Sequence, residues 1–162
     1  APDAVASVVE LQLDGAPVVL GFANRPGENG VITLGAESSE IEALTTPRAV
    51  KENAIGHVFL TRWTRSEDVP AWNVEIPKAG RYRVDISYGA ARQSAGTPFT
   101  LLAGAARLPG KVEETGHEWV FKSFTLGQLT LPRGKSTLQV KAEAAPGTPV
   151  MSLEKLVLTP LP

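Results

Sequence analysis

Residues 72–88 read Trp72-Asn73-Val74-Glu75-Ile76-Pro77-Lys78-Ala79-Gly80-Arg81-Tyr82-Arg83-Val84-Asp85-Ile86-Ser87-Tyr88, and their alternation decides the fold class. Side chains on a strand alternate with period two. Trp72, Val74 and Ile76 therefore fall on one face of a first strand, and Tyr82, Val84, Ile86 and Tyr88 on one face of a second. The intervening Asn73, Glu75, Arg81, Arg83, Asp85 and Ser87 are polar, so the opposite face meets solvent or a polar partner, as antiparallel sheets allow. Pro77-Lys78-Ala79-Gly80 and Pro132-Arg133-Gly134-Lys135 each begin with a fixed φ and contain a Gly able to take φ > 0, and both are expected to close hairpins.

Working outward, strand-like runs recur at short spacing between Gly and Pro residues: 8–13, 17–22, 31–34, 57–63, 99–103, 120–126, 128–131, 137–142 and 150–158. That spacing predicts an all-β, antiparallel β-sandwich. Residues 41–55 carry Glu, Ala and Leu, but Thr45-Thr46-Pro47 interrupts any helix, and the stretch reads as a loop. Residues 31–162 form the expected sandwich. Residues 1–30 hold a strand at Val8–Leu13 and a linker-like run at 24–30, which either finishes a preceding domain or lies against the edge of the sandwich.

The 162 residues are 43% hydrophobic, enough for one core that needs no staple. There is no Cys, so disulfides and thiolate metal sites are excluded. The net charge is −1 and no run of five like charges occurs, which argues against nucleic acid or anionic lipid as a partner. No apolar run approaches the roughly twenty residues of a membrane span.

Candidates for catalysis are few. His57 lies in an apolar strand, and His117-Glu118 lacks the second His of a zinc-protease helix. Glu113 and Glu114 are adjacent, so on a strand they point to opposite faces and cannot flank one bond. No nucleophile elbow or glycine-rich phosphate cradle is present. An accessory, non-catalytic role is expected.

The aromatic residues offer more. A planar ring at a loop rim stacks on the C–H face of a sugar while nearby polar groups bond the hydroxyls. Trp72 is in phase with Val74 and Ile76 and belongs to the core. Trp63, between Arg62 and Arg65 ahead of a polar loop, is placed at the rim, with core packing the alternative. Trp119 shares parity with Phe121 and Ser123, whereas Phe124 and Leu126 have the opposite parity, so either a bulge intervenes or one set faces outward.

The order of Ile32-Thr33-Leu34-Gly35-Ala36-Glu37, Trp63, Trp72, Val74–Tyr82, Thr115-Gly116, Phe121, Leu126-Gly127, Leu131–Gly134, Thr137–Val140 and Ser152–Leu158 resembles the jelly-roll, galactose-binding-like carbohydrate-binding modules of extracellular glycoside hydrolases. The start, Val8–Gly15, resembles the last strand of the β-sandwich that follows the catalytic barrel in α-L-fucosidases. The resemblance implies a secreted or periplasmic module that binds a glycan or polysaccharide and is attached to a catalytic domain of the same parent protein. The alternative is a structural sandwich that packs on that domain and binds no sugar. The ligand contacts expected here are Trp63 and Trp119, with polar help from Arg62, Arg65, Arg92 and Ser152. Also implied is a structural calcium between Glu37 and Glu154, although Gly35 stands where a second Glu is common and Glu154 replaces an Asp. In related modules the stacking aromatic sits where Glu118 is here, with Trp119 one place on, and Ser152 stands for an Asn.

Overall fold

Two antiparallel sheets face each other in the computed structural model, which describes residues 24–27, 29–46 and 49–162. In chain order the strands are β1 Ile32–Gly35, β2 Glu40–Glu42, β3 Val50–Ala54, β4 His57–Thr61, β5 Val69–Ile76, β6 Gly80–Gly89, β7 Pro98–Ala103, β8 Ala106–Lys111, β9 Phe121–Leu131, β10 Gly134–Ala142 and β11 Ser152–Pro160. One sheet runs β3-β4-β11-β6-β9, with β1 also paired to β11. The other runs β2-β5-β10-β7-β8. The architecture is the expected all-β sandwich of jelly-roll type. Between the sheets lie Trp72, Val74, Ile76, Tyr82, Val84, Ile86 and Tyr88, each at most 2% exposed, with Leu101, Leu138, Val140, Leu156 and Leu158. All seven inward residues of the 72–88 stretch are therefore in the core.

The two expected hairpins are not hairpins. β5 pairs with β2 and β10, while β6 pairs with β9 and β11. Pro77–Gly80 thus carries the chain from one sheet across to the other. The turn at Pro132–Lys135 does the same between β9 and β10. Alternation tells which face is buried, but an arch over the core and a hairpin beside it bury the same set. The tight hairpins are β3–β4 and β7–β8. The first closes with Ile55 and Gly56 at φ 51 and 79, both left-handed as a two-residue hairpin turn requires.

Residues 41–55 are a loop only in part: Glu40–Glu42 and Val50–Ala54 are edge strands. Their polar composition suits an edge that is half exposed and hid them from a hydrophobic pattern. The parity conflict after Trp119 resolves both ways. Phe121 faces outward onto His57, with ring centroids 4.6 Å apart, and Phe124 faces inward onto Tyr88 at 4.8 Å. A bulge then skips Leu126, as Val84 pairs with Gly127 but Asp85 with Thr125. Gly127 takes φ +142 there, and the shift keeps Leu129 and Leu131 inward. The strands expected at 8–13 and 17–22 lie outside the described residues. Within the segment read as a linker, Asn24 forms a parallel bridge beside Val74, donating its N–H to the Asn73 carbonyl at 2.9 Å and accepting from Glu75 N–H at 3.0 Å.

Candidate functional site

At one end of the sheet containing β4, β11 and β6, small side chains stand in a row across its outer face. Ser152 pairs with Gly89, and the register of Leu153 with Leu60 brings Thr61 beside Ser152. Larger groups rise on either side of this floor. The result is a cleft of about 300 Å³ lined by Thr61, Ser152 and Gly89 below, Glu52 and Arg62 on one side, and Glu118, Trp119 and Ser94 on the other. That volume is at the lower end of the range for small-ligand sites.

The wall bearing Trp119 is pinned. Thr115 accepts a hydrogen bond from Ala90 N–H at 2.8 Å, and its hydroxyl has the carbonyls of Ala90 at 3.1 Å and His117 at 3.0 Å to donate to. Val120 N–H closes a turn on His117 O at 3.0 Å, and Trp119 N–H donates to His117 Nδ1 at 3.2 Å. The indole is left 44% exposed, edge-on to the His117 ring at 6.0 Å. Gly89 is essential to the approach, since a Cβ there would lie 2.2 Å from the Glu118 carbonyl oxygen. Because residues 117–120 form a turn and not a strand, the one-place offset between Glu118 and Trp119 does not put them on opposite faces. Glu118 and Trp119 both line the cleft.

The opposite wall stores strain. Arg62 has φ 54, the left-handed region that a bulky L-residue rarely adopts and that collects at functional sites. This kink ends β4, leaves Arg62 exposed at the cleft and turns Trp63 inward. Trp63 is 1% exposed, its indole N–H donates to Arg65 O at 3.0 Å, and its carbonyl accepts from Val150 N–H at 2.8 Å. The expectation of a rim position for Trp63 is thus corrected: its ring packs in the core.

Arg65 is corrected as well. Its guanidinium donates to Thr46 O at 2.7 Å and lies 3.4 Å from Asp68 Oδ1. Asp68, 0% exposed, in turn accepts from Ala49 N–H at 2.9 Å. Arg65 ties two loops together and does not line the cleft. Arg92 sits exposed on the 3-10 turn Arg92–Ser94, whose buried member Ser94 faces the cleft instead. Of the six contacts expected from sequence, Trp119, Arg62 and Ser152 come together at the site, and Trp63 contributes to its lining without offering a platform.

Glu52, Thr61, Ser94 and Glu118 were not foreseen, because three lie on polar edges or loops and the fourth ends an apolar strand. Thr61, Ser94 and Ser152 are 7%, 2% and 2% exposed, yet their hydroxyls bond no other described residue. Buried hydroxyls are rarely left without partners. Among the described residues the one sealed, unpartnered side-chain atom is Arg65 Nε, so these three hydroxyls open toward the space they line. A second hollow of about 770 Å³, lined by Glu42, Leu102, Ala105, Thr137 and Gln139 among others, has no aromatic ring.

The residues implied for calcium do not fit that ion. Glu154 occupies a bulge in β11, where Leu153 pairs with Tyr88 but Lys155 with Ser87. Its carboxylate accepts from the Ser87 hydroxyl at 2.6 Å and meets His57 Nδ1 at 2.7 Å. Burial works to raise its pKa, but the bonds from Ser87 and His57, with Lys155 nearby, hold it below the usual carboxylate range. Glu37 folds back over the Cα of Gly35. Among the described residues no three His, Asp or Glu side chains gather where they could hold a metal, and the carbonyls beside Glu37 are taken by Lys51. Nor do Ser87, His57 and Glu154 form a nucleophilic relay, since the hydroxyl donates to the carboxylate and not to the imidazole.

No protein-family profile matches this chain, and no curated protein does. Solved structures do. A family 35 carbohydrate-binding module from Clostridium thermocellum superposes with TM-score 0.66 at 18% identity, covering 81% of this chain and 98% of that one. A carbohydrate-binding module from Cellvibrio mixtus lichenase 5A, in complex with cellotriose, gives TM-score 0.61 at 17% identity, covering 80% and 97%. The Podospora anserina GH26-CBM35 β-(1,4)-mannanase gives TM-score 0.65 at 17% identity. The match covers 83% of this chain but only 28% of the mannanase. At such identities the likeness establishes the fold.

Proposed function

We propose that this domain is a non-catalytic carbohydrate-binding module that holds a glycan in the cleft between Trp119 and Arg62, within an extracellular glycoside hydrolase. The observation that carries this reading is the pairing of one exposed indole with three hydroxyls, on largely buried residues, that open on a single cleft and have no partner among the described residues. The indole gives an apolar platform, while Thr61, Ser94, Ser152, Arg62, Glu52 and Glu118 supply donors and acceptors of the kind sugar hydroxyls need. Fold likeness to modules whose names include bound cellotriose and a parent mannanase supports the ligand class and the hydrolase context. An α-L-fucosidase parent rests on the opening strand resemblance alone. Affinity is expected to be modest, because a shallow cleft buries little area against the cost of ordering a flexible ligand.

A glycan array followed by affinity electrophoresis tests the reading. Trp119→Ala removes the platform without touching the core. It is expected to weaken retention on the selected glycan five- to thirtyfold, a loss of about 1–2 kcal/mol, with Tm unchanged. No binding to any glycan, joined to a loss of parent-enzyme stability when the segment is deleted, would favour the structural sandwich instead.

A further inference from the structure

The 3-10 turn Ala36–Ser38 carries the chain from β1 in one sheet to β2 in the other. Within the turn the Ser39 N–H reaches the Ala36 carbonyl at 3.2 Å, but a turn this short leaves the carbonyls around it short of backbone donors. Side chains take them instead. The Gly35 carbonyl accepts from the Trp72 indole at 2.8 Å and the Ser38 hydroxyl at 3.1 Å, and the Ala36 carbonyl from the Ser39 hydroxyl at 2.8 Å. The Glu37 and Ser39 carbonyls converge on one group, the ammonium of Lys51, at 3.1 Å for Glu37 and in a short contact with Ser39. Lys51 comes from the edge strand β3, where it pairs with Leu60 and so shares the inward side of that residue.

Two carbonyl oxygens turned toward one point at a crossover between sheets form part of the hard-oxygen set that a divalent cation takes. Here the positive charge is covalently attached. We propose that Lys51 is the built-in cation of this fold. It clamps the crossover to the edge strand β3 of the sheet that β1 belongs to and makes the domain independent of divalent metal. Lysine suits the task because its ammonium is a compact point charge with three donors on a flexible stem. The disagreement with the calcium expected between Glu37 and Glu154 has the same origin: the turn's oxygens are already served, and Glu154 is engaged by Ser87 and His57.

Thermal unfolding of the intact domain, first in EDTA and then in millimolar calcium chloride, tests this directly. Wild-type Tm should be the same in both. Lys51→Met, which keeps the stem and removes the charge, should lower Tm by roughly 3–8 °C in either buffer, since charged hydrogen bonds to two carbonyls are lost. A wild-type Tm that falls in chelator and recovers with calcium would overturn the proposal whether or not the variant folds. So would a Lys51→Met domain that melts with the wild type.

Discussion

Arg62 shows how a single residue sets both walls of a site. A non-glycine at φ 54 costs about 1 kcal/mol or more, and the return on that strain is a guanidinium at the cleft and a tryptophan in the core. Arg62→Gly relieves the backbone and removes the guanidinium. Its Tm should stay level or rise slightly while glycan affinity falls, as isothermal titration against the selected glycan would show. A fall in Tm with unchanged affinity would assign Arg62 to structure. Glu154 makes a parallel case in acid. Its folded pKa is depressed, so the stability it contributes is present above the unfolded carboxyl value of about 4.3 and is lost as pH falls through the lower folded value. Ser87→Ala removes one of the bonds that depress it. The variant should lose stability at neutral pH, and the gap to wild type should close below about pH 4 in an acid-unfolding series.

At the scale of elements, what the sequence made legible was facing, not pairing. The alternation in 72–88 placed seven residues correctly in the core. It could not say that Pro77–Gly80 spans two sheets, because that depends on which distant strands, β10 and β11, fill the neighbouring positions. The edge strands β2 and β3 were missed because an edge needs little apolar surface. Trp119 was legible as a candidate and Trp63 was misplaced, since nothing local announces that Arg62 adopts a left-handed backbone. The floor of the cleft was invisible for a related reason: Thr61, Ser152 and Gly89 become neighbours only through register. Gly89 tests this organisation. In Gly89→Ala the new methyl meets the Glu118 carbonyl, so the loop bearing Trp119 must move. Glycan binding should weaken at least tenfold with a smaller effect on folding, read by titration alongside thermal melts. Full binding in that variant would mean the loop position does not matter.

Across the whole molecule, a rigid sandwich presents one end of a sheet, and the loops around it, as a shallow pocket. Scaffold and site are separable, so the fold alone does not carry the function. The three tryptophans report on the site without labels, because Trp63 and Trp72 are each 1% exposed and Trp119 is 44% exposed. Acrylamide quenching of intrinsic fluorescence, with and without the glycan selected on the array, therefore reads the cleft almost alone. Saturating glycan should protect the quenchable fraction to nearly the level of Trp119→Ala. A glycan that binds while Trp119 remains as open to acrylamide as in the free protein would contradict a ligand seated on that indole.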